Sequence, residues 1–248
     1  MQESSLAKIP QLDMKLELDD PPTREEIRKA TMQLKVGKSP GIDSSPAEVY
    51  QHGCEAVLDK LQDLFTNCWE NGTLPQDLRD AVIFSLYKNK GEKSDCSNYQ
   101  GITLLSIAGK ILACVSLNRL IPTIAQENTP ESQCGFRSNG GTVDMIFVLR
   151  PIQEKCREQN MGLYAAFVDL TKAFDTVNHD GLWNILACLS CLPKFLTILC
   201  QLHEVQQGQA KHNGSLSCSF LIPNGIKQEC ILAPTLFSIF FSIMLHET

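Results

Sequence analysis

The 248-residue sequence is short of positive charge, of aromatic residues and of long apolar runs, and each shortage excludes something. Twenty-two Lys and Arg against 28 Asp and Glu leave a formal charge of −6, so no overall basic field draws in nucleic acid or acidic membranes. Any nucleic-acid contact has to come from local patches. The strongest apolar run, Leu236–Leu245, is about half the ~20 residues a membrane helix needs. The acidic, polar opening of the sequence has no apolar stretch of the kind a secretory signal carries. The 11 cysteines are odd in number and scattered, which reads as reduced thiols of a soluble intracellular protein, nuclear or cytoplasmic. No internal repeat or low-complexity tract is present, and no Asp-Asp pair follows Asp19-Asp20. With 43% hydrophobic and 20% charged residues, the composition is that of a globular protein rather than a disordered chain or a coiled coil.

What is present is a mixture of helical and strand-like patterns. Thr23 followed by Arg24, Glu25 and Glu26 is a capping box, predicting a helix through Ile27, Ala30, Met32 and Leu34 that stops near Gly37. Residues 38–46 are rich in Pro, Gly and Ser and read as a loop. A helix starting at Pro46 is expected to run to Asn71-Gly72, with Val57, Leu58, Leu61, Leu64, Phe65 and Trp69 at helical spacing. Strands are expected over Ala81–Tyr87, Ile102–Leu105 and Leu163–Val168, and a hairpin over Gly208–Phe220. Helices are expected over Ala108–Leu120, Thr142–Gln159, Thr171–Asn178, Leu182–Leu189, Pro193–His203 and Ala233–Leu245. The fold class is α+β.

The stretch Phe167-Val168-Asp169-Leu170-Thr171-Lys172-Ala173-Phe174-Asp175 carries the most chemistry. A carboxylate at the end of an apolar strand is held rigidly at the mouth of a site and suits Mg²⁺, which takes one or two protein oxygens. By itself, such an Asp is more often a plain helix N-cap.

Seen with its neighbours, this stretch resembles the A motif of reverse transcriptases of the non-LTR (LINE-like) retrotransposon type. Asp20-Pro21-Pro22-Thr23 is similar to that family's opening segment, and Gly37-Lys38-Ser39-Pro40-Gly41-Ile42-Asp43 with Pro46-Ala47-Glu48 to its first fingers motif. Leu74-Pro75, Tyr87-Lys88-Asn89-Lys90-Gly91, Asn98-Tyr99-Gln100-Gly101-Ile102 and Leu104-Leu105 resemble the second, with Gly109-Lys110-Ile111 and Asn118-Arg119-Leu120 beyond it. Gln133-Cys134-Gly135-Phe136-Arg137 is similar to the third, and residues 224–234 to the B motif.

The resemblance implies a right-hand polymerase fold: a lead-in over residues 1–18, fingers over 19–160 and a partial palm over 161–248. It also implies RNA-directed DNA polymerisation by two-metal nucleotidyl transfer on an RNA template and a DNA primer with deoxynucleotides, with no membrane partner. Asp169 is implied as a catalytic carboxylate that holds Mg²⁺ with help from the backbone of Leu170. Phe174 is implied as the gate against the ribose hydroxyl, Gln228 as a contact to the nucleotide and Lys88 as a contact to the triphosphate.

Departures from the pattern count as well. Gln100 stands in place of an arginine and removes a fork of donors for phosphate. Glu229 stands in place of a glycine and brings bulk and negative charge beside a triphosphate. Ser44 replaces a glycine and Ala233 a serine. The family's aromatic-Ala-Asp-Asp hairpin and its thumb have no counterpart in these residues. The expectation is a polymerase fold truncated before its second carboxylate, inactive alone and exposing apolar surface. The alternative is a non-catalytic relic that binds nucleic acid weakly through Arg24, Arg28, Lys29, Lys35 and Lys38 or through Lys88, Lys90 and Lys93. Cys188, Cys191, Cys200 and His203 invite a zinc reading, but their spacing is unlike that of structural zinc sites and the residues between them are apolar.

Overall fold

The computed structural model describes residues 16–41, 43–130, 133–137, 140–170, 172–203, 206–212, 215–222, 225–226 and 230–246. The fold is mixed. The helices are α1 (Arg24–Gln33), α2 (Ala47–Gln51), α3 (Glu55–Asn71), α4 (Gln76–Arg79) and α5 (Ile107–Leu120). They continue with α6 (Thr142–Glu158), α7 (His179–Cys188), α8 (Pro193–His203) and α9 (Ala233–His246). The strands are β1 (Ala81–Tyr87), β2 (Tyr99–Leu105), β3 (Gln206–His212), β4 (Ser215–Leu216) and β5 (Phe220–Ile222).

The core is mostly helical. Ile27 and Ala30 of α1, Phe65 and Trp69 of α3, Ile111, Leu112 and Val115 of α5, Leu182 and Leu186 of α7 and Phe195 and Ile198 of α8 are all buried in one cluster. The stretch Ile107–Ala125 is long and apolar enough to cross a membrane by length and composition, and it lies largely buried in this core. Its last turn, Ile121–Ala125, is a π-turn that contains Pro122, which has no N–H for the regular helical ladder.

The capping box forms as its sequence pattern predicts. The Glu26 amide donates to Thr23 Oγ1 at 3.3 Å, and the Thr23 amide donates to Glu26 Oε2 at 2.8 Å. Arg119 then locks this corner. Its Nε and Nη2 donate to Glu26 at 2.6 and 2.7 Å, its Nη1 donates to the Asp20 carbonyl at 2.6 Å, and its guanidinium lies 5.2 Å from the Trp69 ring centre. Asp19 completes the corner by accepting from the Phe195 amide in the first turn of α8 at 3.0 Å, where a carboxylate complements the helix dipole. Asp19 through its carboxylate and Asp20 through its main-chain carbonyl thus both help to hold the helices together.

The sheet runs β2-β1-β3-β4, with β5 also paired to β3. β1 and β2 are antiparallel from Ala81↔Leu105 to Tyr87↔Tyr99, while β3 lies parallel to β1 from Ala81↔Gly208. The expected hairpin is present in the antiparallel β3–β4 and β3–β5 pairs.

The loop after α1 docks on this sheet. A Cβ on Gly41 would come within 2.6 Å of the Leu105 carbonyl oxygen and 2.7 Å of the Ser106 nitrogen. Three residues on, Ser44 has φ +56, the left-handed conformation that glycine takes without penalty. This accounts for the glycine that the resemblance leads one to expect there. Ser44→Gly is expected to raise stability by about 0.5–1 kcal/mol, read as a higher urea midpoint at unchanged slope.

Three expectations fail. The helix expected from Pro46 is two helices, α2 and α3, broken around Gly53. The expected strand Leu163–Val168 is not a strand: Tyr164 is 98%, Phe167 88% and Val168 81% exposed. An apolar strand needs neighbours for its backbone and both faces, and no described strand pairs with this one. The helix expected over Thr171–Asn178 is a set of turns across 172–176, because Lys172 takes φ +56. Thr171 itself lies outside the described residues. Helix α6 forms as expected but has no buried residue, and it presents Val143, Ile146 and Phe147 outward.

Candidate active site

The turn after Asp169 is built by its own backbone. The amides of Asp175 and Thr176 both donate to the Lys172 carbonyl, at 3.0 and 3.1 Å. Asn178 then caps α7 by accepting from the Gly181 amide at 2.7 Å, so the helix begins at His179, earlier than its apolar pattern indicates.

Onto this turn docks the start of the segment that resembles the B motif. The Ile226 amide donates to the Phe174 carbonyl at 2.8 Å and the Gly225 amide to the Val177 carbonyl at 3.1 Å. Gly225 has φ +89, and a Cβ there would lie 2.8 Å from the Asp175 carbonyl oxygen and 2.9 Å from its Cα. Only glycine fits. His179 holds the other side, with Nε2 2.7 Å from the Gly225 carbonyl oxygen. A carbonyl only accepts, so this contact fixes the hydrogen on Nε2. His179 is buried and packs at 5.8 Å on Trp183.

Aromatic rings join the same segments. Phe174 lies 4.7 Å from Phe237 of α9 and meets Phe136 edge-on at 6.0 Å, while Phe237 stacks on Phe241 at 5.5 Å. The A-like turn, the third motif and the B-like helix are therefore in contact through Phe174.

The other expected site residues are placed as follows. Asp169 and Leu170 lie on the exposed segment leading to the turn, with Leu170 half-exposed. Lys88 follows β1, with its Nζ donating to the Ser97 carbonyl at 3.2 Å across the β1–β2 loop. In that loop Tyr87 packs on Tyr99 at 5.4 Å and Lys93 lies 5.6 Å from the Tyr87 ring centre. Gln228, with Lys227 and Glu229, lies outside the described residues. Gln100 is an exposed residue of β2 opposite Leu86, and Ala233 is buried at the start of α9.

The basic cluster on α1 is in part tied up by acids: Arg24 reaches Asp59 at 2.9 Å and Arg28 reaches Glu55 at 2.9 Å. The Cys188–His203 group is built for packing. Cys191 is buried and its thiol is pushed far up by that burial, and further by Cys200 and Asp19. His203 Nδ1 donates to the Leu199 carbonyl at 2.9 Å, and its ring lies 5.7 Å from Trp183. Among the described residues, no three His, Cys, Asp or Glu side chains gather where a metal could sit.

Sequence reasoning missed His179 as the residue that fastens the two motifs. Its signal was available, since His179, Leu182, Trp183 and Leu186 share one helical face at three- and four-residue spacing.

The family model "Reverse transcriptase (RNA-dependent DNA polymerase)" matches residues 88–248. The chain is a reverse transcriptase domain of the non-LTR retrotransposon type. This reverse transcriptase chain is 29% identical over 223 residues to the uncharacterized 149 kDa protein of transposon TX1 from Xenopus laevis, covering 90% of this chain and 17% of that protein. It is 28% identical over 232 residues to the RNA-directed DNA polymerase from mobile element jockey of Drosophila funebris, covering 92% of this chain and 25% of the relative. Identity is 23% over 224 residues with the Pol polyprotein of the type-2 retrotransposable element R2DM of Drosophila melanogaster, covering 90% and 20%. The chain thus spans no more than a quarter of the length of these relatives.

Proposed function

We propose that the chain supplies the fingers (19–160) and part of the palm (161–248) of an RNA-directed DNA polymerase that works by two-metal nucleotidyl transfer. The observation that carries this reading is the backbone docking of Gly225 and Ile226 onto Phe174 and Val177, which holds the two nucleotide-facing motifs as one unit. Asp169 and the carbonyl of Leu170 are hard oxygen donors on an accessible segment, a donor set that fits Mg²⁺. A pair of such ions, when bound, stabilises the attacking primer oxygen and the leaving pyrophosphate.

The remaining roles belong to the chain's own residues. Phe174, wedged between Phe136 and Phe237, is a wall whose position is fixed by packing, as exclusion of a ribose hydroxyl requires. Lys88 meets the triphosphate, and Gln228 lies against the nucleotide on its template. Gln100 and Glu229 weaken triphosphate binding, for the reasons of charge and bulk given above. The RNA template and DNA primer bind weakly and with strong salt dependence to these residues alone, since Arg24 and Arg28 are already engaged with acids.

The aromatic-Ala-Asp-Asp segment that the family pattern calls for does not occur among these 248 residues. The Asp19 carboxylate caps α8, Asp20 is held beside it through its main-chain carbonyl, and Asp175 sits on a turn whose backbone is docked against Gly225. Residues 1–248 by themselves are therefore expected not to extend a primer. The sugar gate is tested in the natural polypeptide carrying these residues. Phe174→Ala is expected to raise ribonucleotide use relative to deoxynucleotide use by at least about tenfold in primer extension. An unchanged ratio would remove Phe174 from the nucleotide site.

A further inference from the structure

One peptide group joins His179 to Phe174. The carbonyl oxygen that His179 Nε2 meets at 2.7 Å belongs to Gly225, and the N–H that meets the Phe174 carbonyl at 2.8 Å belongs to Ile226. Acceptor and donor are therefore the two ends of a single planar unit. No peptide bond among the described residues is cis, and in a trans unit the C=O and N–H point in opposite directions. His179 and Phe174 thus hold opposite edges of the same plane, and a rotation of that plane breaks both bonds together.

The plane is easily rotated unless something locks it. It follows Gly225, whose φ of +89 lies where glycine alone is at ease and whose backbone has the widest freedom of any residue. The glycine that lets the segment approach Asp175 also leaves the next peptide loose. The bond from the Gly225 amide to the Val177 carbonyl does not lock it, because that N–H belongs to the preceding peptide. Val177 and Ile226 are each 2% exposed, so little water is at hand to satisfy the polar groups of a rotated unit. His179 is a rigid anchor by contrast. It is buried, it opens α7, and its ring packs on Trp183, which in turn packs on His203 at 5.7 Å.

We propose that His179 is a positioning residue for sugar selection: by locking the Gly225–Ile226 peptide it holds Phe174 where a ribose hydroxyl is excluded. This role rests on the reading of Phe174 as the sugar gate. The Phe174 ring is held by Phe136 and Phe237, and its backbone is held by Ile226. A carbonyl that accepts a hydrogen bond polarises the N–H of its own peptide, so losing His179 weakens the bond to Phe174 even before the plane turns. A gate displaced by a fraction of an ångström discriminates less well, because selection by steric exclusion depends on placement.

Two variants test this. His179→Leu fills the space without a donor, and His179→Gln keeps a side-chain N–H at similar reach. In residues 1–248 with Phe174 replaced by 4-fluorophenylalanine, the fluorine resonance is expected to keep its shift in His179→Gln and to move and broaden in His179→Leu. In the natural polypeptide carrying these residues, a ribonucleotide and its deoxynucleotide are set in competition during primer extension. The ribonucleotide share is expected to rise at least about threefold in His179→Leu and to stay at the parent value in His179→Gln. Both nucleotides meet the same molecules, so this ratio does not depend on how much of a variant is folded. Arg119→Ala, which destabilises a different corner, is expected to leave the ratio unchanged. Adding His179→Leu to Phe174→Ala is expected to raise the ratio no further, because the gate it positions is gone. A ratio unchanged in Phe174→Ala removes the sugar-gate reading and this role with it. A ratio that rises in Phe174→Ala but not in His179→Leu, or a fluorine resonance unmoved by His179→Leu, overturns the role of His179 alone. Equal changes in His179→Gln and His179→Leu overturn it too, since the donor would then not matter.

Discussion

Gly225→Val is expected to destabilise the chain by about 3 kcal/mol or more, measured as a fall in urea midpoint. Two costs add. A β-branched residue at φ +89 is strained by itself, and its Cβ is driven to within 2.8–3.0 Å of the Asp175 backbone, which cannot rotate away as a side chain can. The segment then has to lift off the turn and gives up the hydrogen bonds of Gly225 and Ile226 to Val177 and Phe174. Hydrogen exchange at those two amides is expected to accelerate far more than exchange in α8, which marks the loss as local to the junction. His179→Ala is expected to act at the same place with a smaller effect, about 1–2 kcal/mol, because it leaves the Gly225 carbonyl without a donor.

Arg119→Ala is expected to cost about 3 kcal/mol, for a different reason. The Arg119 side chain is only 11% exposed and its partner Glu26 32%, so removing the guanidinium leaves a partly buried carboxylate unpaired and deprives the Asp20 carbonyl of its donor. The pH dependence follows from the same pair. Burial by itself raises the Glu26 pKa, but the Arg119 hydrogen bonds and the Thr23 backbone and side chain more than reverse this and bring it to about 2, against 4.5 ordinarily. A folded-state pKa below the unfolded one contributes stability at pH above about 4.5 and loses it as pH falls toward 2. The stability difference between wild type and Arg119→Ala is therefore expected to shrink steadily from pH 5 to pH 2. Allowing for solvent screening, the lost part is about 2 kcal/mol. A difference that stays constant with pH would show that Arg119 acts through packing on Trp69 rather than through Glu26.

Elements fixed by their own residues were legible in the sequence. The Thr23–Glu26 capping box, α5, α8 and strand β1 need little beyond local pattern. Leu163–Val168 was misread because apolar composition says that a segment is fit for burial without saying what covers it. The turn at 172–176 was misread because the positive φ of Lys172 has no signature in its residue type. Ser44 shows the converse. Its left-handed backbone is invisible from serine itself and could be inferred only from the glycine that the resemblance supplied. The Phe174, Phe136 and Phe237 cluster joins residues more than 30 positions apart in either direction, a contact that no local periodicity encodes.

The claim at the centre of this account is that Asp169 is a carboxylate of the polymerisation site. Primer extension on an RNA template, with the natural polypeptide carrying residues 1–248 and its Asp169→Asn variant, tests it most directly. The account predicts that whatever extension the wild type supports falls by at least about a thousandfold in the variant, with primer–template binding unchanged, because the amide keeps the shape of the carboxylate but not the charge that holds the metal. Extension that continues undiminished in Asp169→Asn would contradict it.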